Sequence, residues 1–163
     1  VLQPGTNVGI GGLESLIAEK NTLVLMSGYP VPYALLIDDD EVNNFICMKN
    51  VREMKYAERI EAKLTVEEAI AHLRSLLAQG VDQLPRVIFL DLNLPGASGW
   101  TFFDRFKELM GNTAFQTRIF ILSSSVYRRE LDRAAHIPEV SEYIIKPLSK
   151  EVLRDLMSRY PAE

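Results

Sequence analysis

Four short apolar runs in this chain each end on residues suited to phosphate chemistry. Residues 34–37 lead into Asp38, Asp39 and Asp40, and residues 86–90 into Asp91. Residues 119–122 lead into Ser123 and Ser124, and residues 142–145 into Lys146 and Pro147. Carboxylates brought together repel by roughly 4 kcal/mol per pair at 4 Å in an effective dielectric near 20. A hard divalent cation makes such a cluster tolerable, and magnesium, which prefers carboxylate and water oxygens, suits it. A lysine brings a compact positive charge on a long stem to a phosphoryl oxygen, and a hydroxyl can donate a hydrogen bond to another. The set describes a phosphoryl-transfer centre with a carboxylate nucleophile.

Each residue alone has a plainer explanation. An acidic triplet suits a helix N-terminus, Asp91 in DLNLPG suits a turn, and Ser123 suits a loop. The weight lies in all four groups following apolar runs in one order.

The elements between them explain how they could meet. A run buried on both faces is what a parallel strand requires. Residues 41–55 read as a helix, 57–63 as an edge strand, and 66–79 as a second helix with Thr65 as its cap and Glu68 reaching back. Phe103, Phe106, Leu109 and Met110 mark a helix that stops at Gly111 and Asn112. Residues 126–135 form another, and Ser149 caps a last helix whose stripe is Val152, Leu153, Leu156, Met157 and Tyr160. Strands alternating with helices predict a doubly wound α/β parallel sheet. In such a sheet functional groups gather beyond the carboxyl ends of the strands, where these residues fall.

Residues 33–160 resemble the receiver domain of bacterial response regulators, through LLIDDD (35–40), VIFLDLNLPGASG (87–99), IFILSS (119–124) and EYIIKPL (142–148). The resemblance implies a five-stranded parallel sheet of flavodoxin-like order 2-1-3-4-5. It implies that Asp91 accepts a phosphoryl group from a sensor histidine kinase or a histidine phosphotransfer protein. Magnesium would be held by Asp39, Asp91 and the backbone carbonyl of Asn93, with Asp38 acting largely through water. Lys146 would bind phosphate and be followed by a cis proline, Ser123 would be the switch hydroxyl, and Tyr143 the switch aromatic. Phosphorylation would draw Ser123 inward and let Tyr143 turn from an exposed to a buried position. Two departures stand out: Ser123 replaces the more frequent threonine, and residues 134–142 lack the usual Gly-Ala pair and carry Pro138.

Bulk properties agree. With 163 residues, 47% of them apolar and 25% charged, the chain fits one globular domain. A net charge of −4 gives no footing for nucleic acid. The single Cys47 and the lack of a membrane-length apolar run or secretory signal predict a cytoplasmic protein. Residues 1–32 read as an N-terminal extension, with helical turns at 13–20 and a strand at 23–26, and 33–163 as the domain proper. The chain ends soon after its last helix, which predicts a stand-alone regulator signalling by protein–protein contact.

Two other readings use the same residues. Asp38 and Asp40 form the D-x-D of a haloacid dehalogenase-type phosphatase, with Ser123 and Lys146 as later motifs, but this leaves Asp91 idle. A binding module that keeps the fold without phosphorylation is the other. His72 and His136 are expected too far from the acidic residues to join them, Cys47 faces the core, and Trp100 packs.

Overall fold

The computed structural model describes residues 28–114 and 116–161; the helix expected at 13–20 and the strand at 23–26 lie outside them. The elements run β1 (Val31–Ile37), α1 (Glu41–Glu53), β2 (Ala57–Lys63), α2 (Val66–Gln79), β3 (Val87–Asp91), α3 (Gly99–Met110), β4 (Arg118–Ser123), α4 (Arg128–Ala135), β5 (Val140–Ile145) and α5 (Lys150–Arg159). The five strands are all parallel, in the order β2-β1-β3-β4-β5. This is the expected doubly wound flavodoxin-like sheet.

Side chains of a strand alternate between faces, so the sheet supports two cores. Leu35, Ile37, Ile88, Leu90, Ile119 and Ile121 face Ile70 and Leu73 of α2 and Phe102 and Phe106 of α3. Ala34, Leu36, Phe89, Phe120 and Leu122 face Cys47 and Val51 of α1 and Leu153 and Leu156 of α5. The central strands are therefore apolar throughout, and their first polar residues come at their ends.

Several boundaries differ from the sequence reading. β1 begins at Val31 and runs through Pro32, so the last two residues of the expected N-terminal extension belong to the first strand. The ladder to β2 pairs Val31 with Ala57 and Tyr33 with Arg59 and passes over Pro32, and β3 joins β1 only from the Ala34–Val87 pair onward. β3 and β4 each extend one residue further, so Asp91 and Ser123 are the last residues of strands rather than the first of loops. α4 starts at Arg128, two residues later than expected, and β5 at Val140, two residues earlier. Thr65 does cap α2, its Oγ1 accepting from the Glu68 N–H, but Glu68 reaches back to the N–H of Leu64. Among the described residues no helix is long and apolar enough to cross a membrane.

Candidate phosphoryl-transfer site

At the end of β1 the backbone N–H of Asp38 still donates to the Lys63 carbonyl at 3.0 Å, so the strand ladder fixes where the carboxylate begins. Asp38 is 0% exposed. Its Oδ1 accepts from the Asp40 N–H at 2.9 Å, and its Oδ2 from Asn43 Nδ2 at 2.7 Å and Lys146 Nζ at 2.6 Å. Asp39 is exposed beside it. Asp40 points away and caps α1, accepting from the N–H groups of Val42 and Asn43.

Asp91, 6% exposed, closes β3. Its Oδ1 accepts from the Asn93 N–H at 2.9 Å and its Oδ2 from Lys146 Nζ at 2.7 Å. The loop after it returns tightly: the Gly99 N–H donates to the Leu92 carbonyl, and a Cβ on Gly99 would lie 2.3 Å from the Asp91 carbonyl oxygen. Only glycine permits that approach.

Lys146 directly follows β5, its N–H held by the Ser123 carbonyl at 2.9 Å, and a cis bond to Pro147 comes next. The loop beyond is tied to α1 by Asn50 Nδ2, which donates to the Leu148 carbonyl at 3.0 Å. Burial works against the Lys146 ammonium, but its hydrogen bonds to Asp38 and Asp91 outweigh that and hold its pKa above the ordinary value.

Asp38, Asp39 and Asp91 can each offer a carboxylate oxygen within 4.8 Å of the others. Three hard oxygens, one from an exposed residue that leaves room for water, fit magnesium. Asn93, exposed two residues after Asp91, lies at the same mouth.

Ser123 is fully buried at the end of β4, and its Oγ accepts from the Ser125 N–H at 3.1 Å. The Tyr143 hydroxyl donates to the Ser125 carbonyl at 3.0 Å and to Glu130 Oε2 at 3.2 Å. Tyr143 is thus already half-buried and anchored, and the exposed starting position expected from the sequence is corrected. Burial, opposed by the nearby Ser123 hydroxyl and reinforced by Glu130, raises its phenol pKa.

A family model described as the response regulator receiver domain matches residues 34–158. The chain belongs to the response regulator receiver domain family. It is 31% identical over 120 residues to the probable methanogenesis regulatory protein FilR2 of Methanothrix harundinacea (strain 6Ac), covering 74% of this chain and 75% of that one. Its fold superposes with a TM-score of 0.72 on a two component response regulator from Cytophaga hutchinsonii, 31% identical, over 80% of this chain and 96% of that one. The receiver domain of the histidine kinase CKI1 from Arabidopsis thaliana, complexed with Mg2+ and BeF3−, shares the fold at 19% identity and TM-score 0.66, over 78% and 90% of the two chains.

The receiver fold brings Asp38, Asp39, Asp91 and Lys146 together, with Asn93 bonded to Asp91 and Ser123 to the Lys146 backbone, and leaves His72, His136, Trp100 and Cys47 out of the site. His72 on α2 pairs with the Tyr33 hydroxyl at 2.8 Å, and His136 caps α4. Trp100 stacks under Arg133 at 4.2 Å. Cys47 is buried, its thiol pushed up to about 11 by burial first and by Asp38 next. With Asp40 used as a cap, the D-x-D reading gains no support. Sequence reasoning missed Asn43, Asn44, Asn50 and Glu130. A signal was available for the first two, since adjacent asparagines in the first turn of a helix, beyond its cap, are poor helix formers that need another reason to be there.

Proposed function

We propose that this protein is a cytoplasmic phosphorylation switch in which Asp91 takes a phosphoryl group from a sensor histidine kinase or a histidine phosphotransfer protein. The observation that carries the reading is Lys146, whose one ammonium bridges Asp38 Oδ2 at 2.6 Å and Asp91 Oδ2 at 2.7 Å beside the exposed Asp39. A carboxylate oxygen of Asp91 attacks phosphorus, a C–O–P bond forms, and the donor's N–P bond breaks with its electron pair returning to the imidazole. Lys146 meets the charge on the phosphoryl oxygens and Ser123 can donate to one of them. In this sense the chain promotes its own phosphorylation.

Asp39, Asp91 and the Asn93 carbonyl would hold Mg2+, with Asp38 acting through water. When bound, the ion would neutralise charge on the phosphoryl oxygens. Val42, Phe45 and Ile46 stand exposed on α1, the helix that starts directly after the acidic triplet. An apolar strip so placed would be covered by the docked donor protein. In this reading residues 33–163 are the switch, residues 1–32 an extension, and the signal leaves by contact with a downstream protein.

The test is labelling by acetyl phosphate with and without Mg2+. An acyl phosphate that is labile to hydroxylamine and maps to Asp91 is expected. Steady hydrolysis with no retained label would instead favour a phosphatase.

A further inference from the structure

We infer that Asn43 is a positioning residue for this phosphoryl transfer: its amide keeps the Asp38 carboxylate oriented when Lys146 turns from Asp38 to the phosphoryl group. The inference rests on the function proposed above. Asp38 is 0% exposed, and burying a carboxylate is costly unless hydrogen-bond donors surround it. Its side chain has three: the Asp40 N–H on Oδ1, and Asn43 Nδ2 and Lys146 Nζ together on Oδ2. Lys146 also serves Asp91, and its task in the reaction is to follow charge to a third place. The backbone donor alone then remains on Oδ1. On Oδ2 the Asn43 amide is the donor that need not move.

Its anchoring supports that task. The Asn43 N–H is held by Asp40 Oδ1 at 2.9 Å, and its own Oδ1 faces the Cys47 thiol, with a sulfur–oxygen distance of 3.8 Å. Reversing the amide would set oxygen against the Asp38 carboxylate, so the orientation is fixed by chemistry. Its neighbour acts on the same residue. Successive side chains on a helix diverge by about 100°, and Asn44, 4% exposed, sends its Nδ2 to the Asp38 carbonyl at 2.8 Å. Its Oδ1 has no hydrogen-bond partner among the described residues. Leaving a buried amide oxygen unpaired is costly, and the sequence accepts that cost at the residue that grips the Asp38 backbone. Two consecutive amides thus hold one aspartate, by its side chain and by its main chain.

The test uses the full chain and Mg2+ itself. Isothermal calorimetry without phosphodonor should show Asn43→Ala binding Mg2+ about tenfold more weakly, the size expected when an outer partner of a metal-site carboxylate is lost. Labelling by acetyl phosphate at saturating Mg2+ should be about tenfold slower in Asn43→Ala than in wild type, because Asp38 loses its fixed donor when Lys146 moves to the phosphoryl group. Asn43→Gln, which keeps the amide donor, should bind Mg2+ within threefold of wild type, and it carries the test if Asn43→Ala does not fold. Wild-type Mg2+ affinity in Asn43→Ala, or equal loss in both variants, overturns the inference. Wild-type protein that neither binds Mg2+ nor takes label overturns the proposed function itself.

Discussion

Lys146 and Asp91 are 55 residues apart in sequence, yet Nζ and Oδ2 meet at 2.7 Å across the ends of β5 and β3, strands separated in the sheet by β4. The contact exists because Asp91 is the last residue of β3 and Lys146 directly follows β5, and the parallel register brings those ends to the same edge of the sheet. One cation thereby offsets repulsion between two nearly inaccessible carboxylates.

Replacing Lys146 with Met should therefore destabilise the fold by about 3 kcal/mol, because two buried anions lose their counter-charge. The sign of the pH dependence follows from the raised Lys146 pKa. Its contribution is complete below the ordinary lysine range and is lost only as pH rises through the higher folded value. The difference between wild type and variant should thus be flat from about pH 7 to pH 9. Urea unfolding across that range checks it; equal midpoints for the two proteins would mean the bridge contributes nothing.

Asp91→Asn should abolish labelling by small phosphodonors and leave the protein folded. The amide is no nucleophile, but it fills the same space, can still accept from the Asn93 N–H, and relieves repulsion with Asp38 and Asp39. Label retained at the wild-type rate would move the acceptor elsewhere.

Asp39→Ala should weaken Mg2+ binding more than Asn43→Ala does, because it removes an exposed anionic oxygen rather than a group that orients one. Calorimetric titration of both variants ranks them, and the reverse order would contradict the assigned ligands.

Gly99→Ala tests the loop that returns to Asp91. A methyl there would meet the Asp91 carbonyl oxygen at 2.3 Å and the Leu92 Cα at 2.7 Å, both backbone, so the strand end or the start of α3 must move. A loss of about 1–3 kcal/mol is expected, with slower labelling because the Asp91 carboxylate shifts with its backbone. Unfolding midpoints and labelling rates measured together check this, and an unchanged pair would show that the loop yields freely.

How far the sequence carried this picture depends on which physics decided each feature. Apolar runs flanked by Asp38, Asp91, Ser123 and Lys146 were legible because burial on both faces of a parallel sheet demands them, and the strand ends follow from where polarity begins. Pro32 was placed outside the domain because proline lacks a ladder N–H, whereas the ladder to β2 passes over it and resumes at Tyr33, and strand pairing is a tertiary fact. Asn43 was passed over for the same reason: its target is fixed by the angle at which α1 leaves β1. Glu130 was invisible too, since only the packing of α4 on β5 carries it to the Tyr143 hydroxyl.

The last prediction concerns how Ser123 and Tyr143 communicate. Between them they hold one residue: Ser123 Oγ accepts from the Ser125 N–H, and the Ser125 carbonyl accepts from the Tyr143 hydroxyl. A serine hydroxyl can accept one hydrogen bond and donate another. Ser123 can therefore donate to a phosphoryl oxygen on Asp91 without releasing Ser125. Its movement toward that charge would draw the Ser125 peptide along, and Tyr143 would follow, straining or breaking its second bond to Glu130. The surface formed by α4 and β5 would change with it. Ser123→Ala cuts this path at its first step, leaving the Ser125 N–H without its acceptor, while the Asp91 carboxylate and Lys146 are untouched. The variant should accept phosphate yet show amide shift changes confined to the neighbourhood of Asp91, with little at Ser125, Glu130 and Tyr143. Tyr143→Phe should cut the path at its last step, so that shifts spread to Ser125 but not into α4 or β5. Fully phosphorylated Ser123→Ala protein with the wild-type pattern of shifts would show that the signal travels by another route.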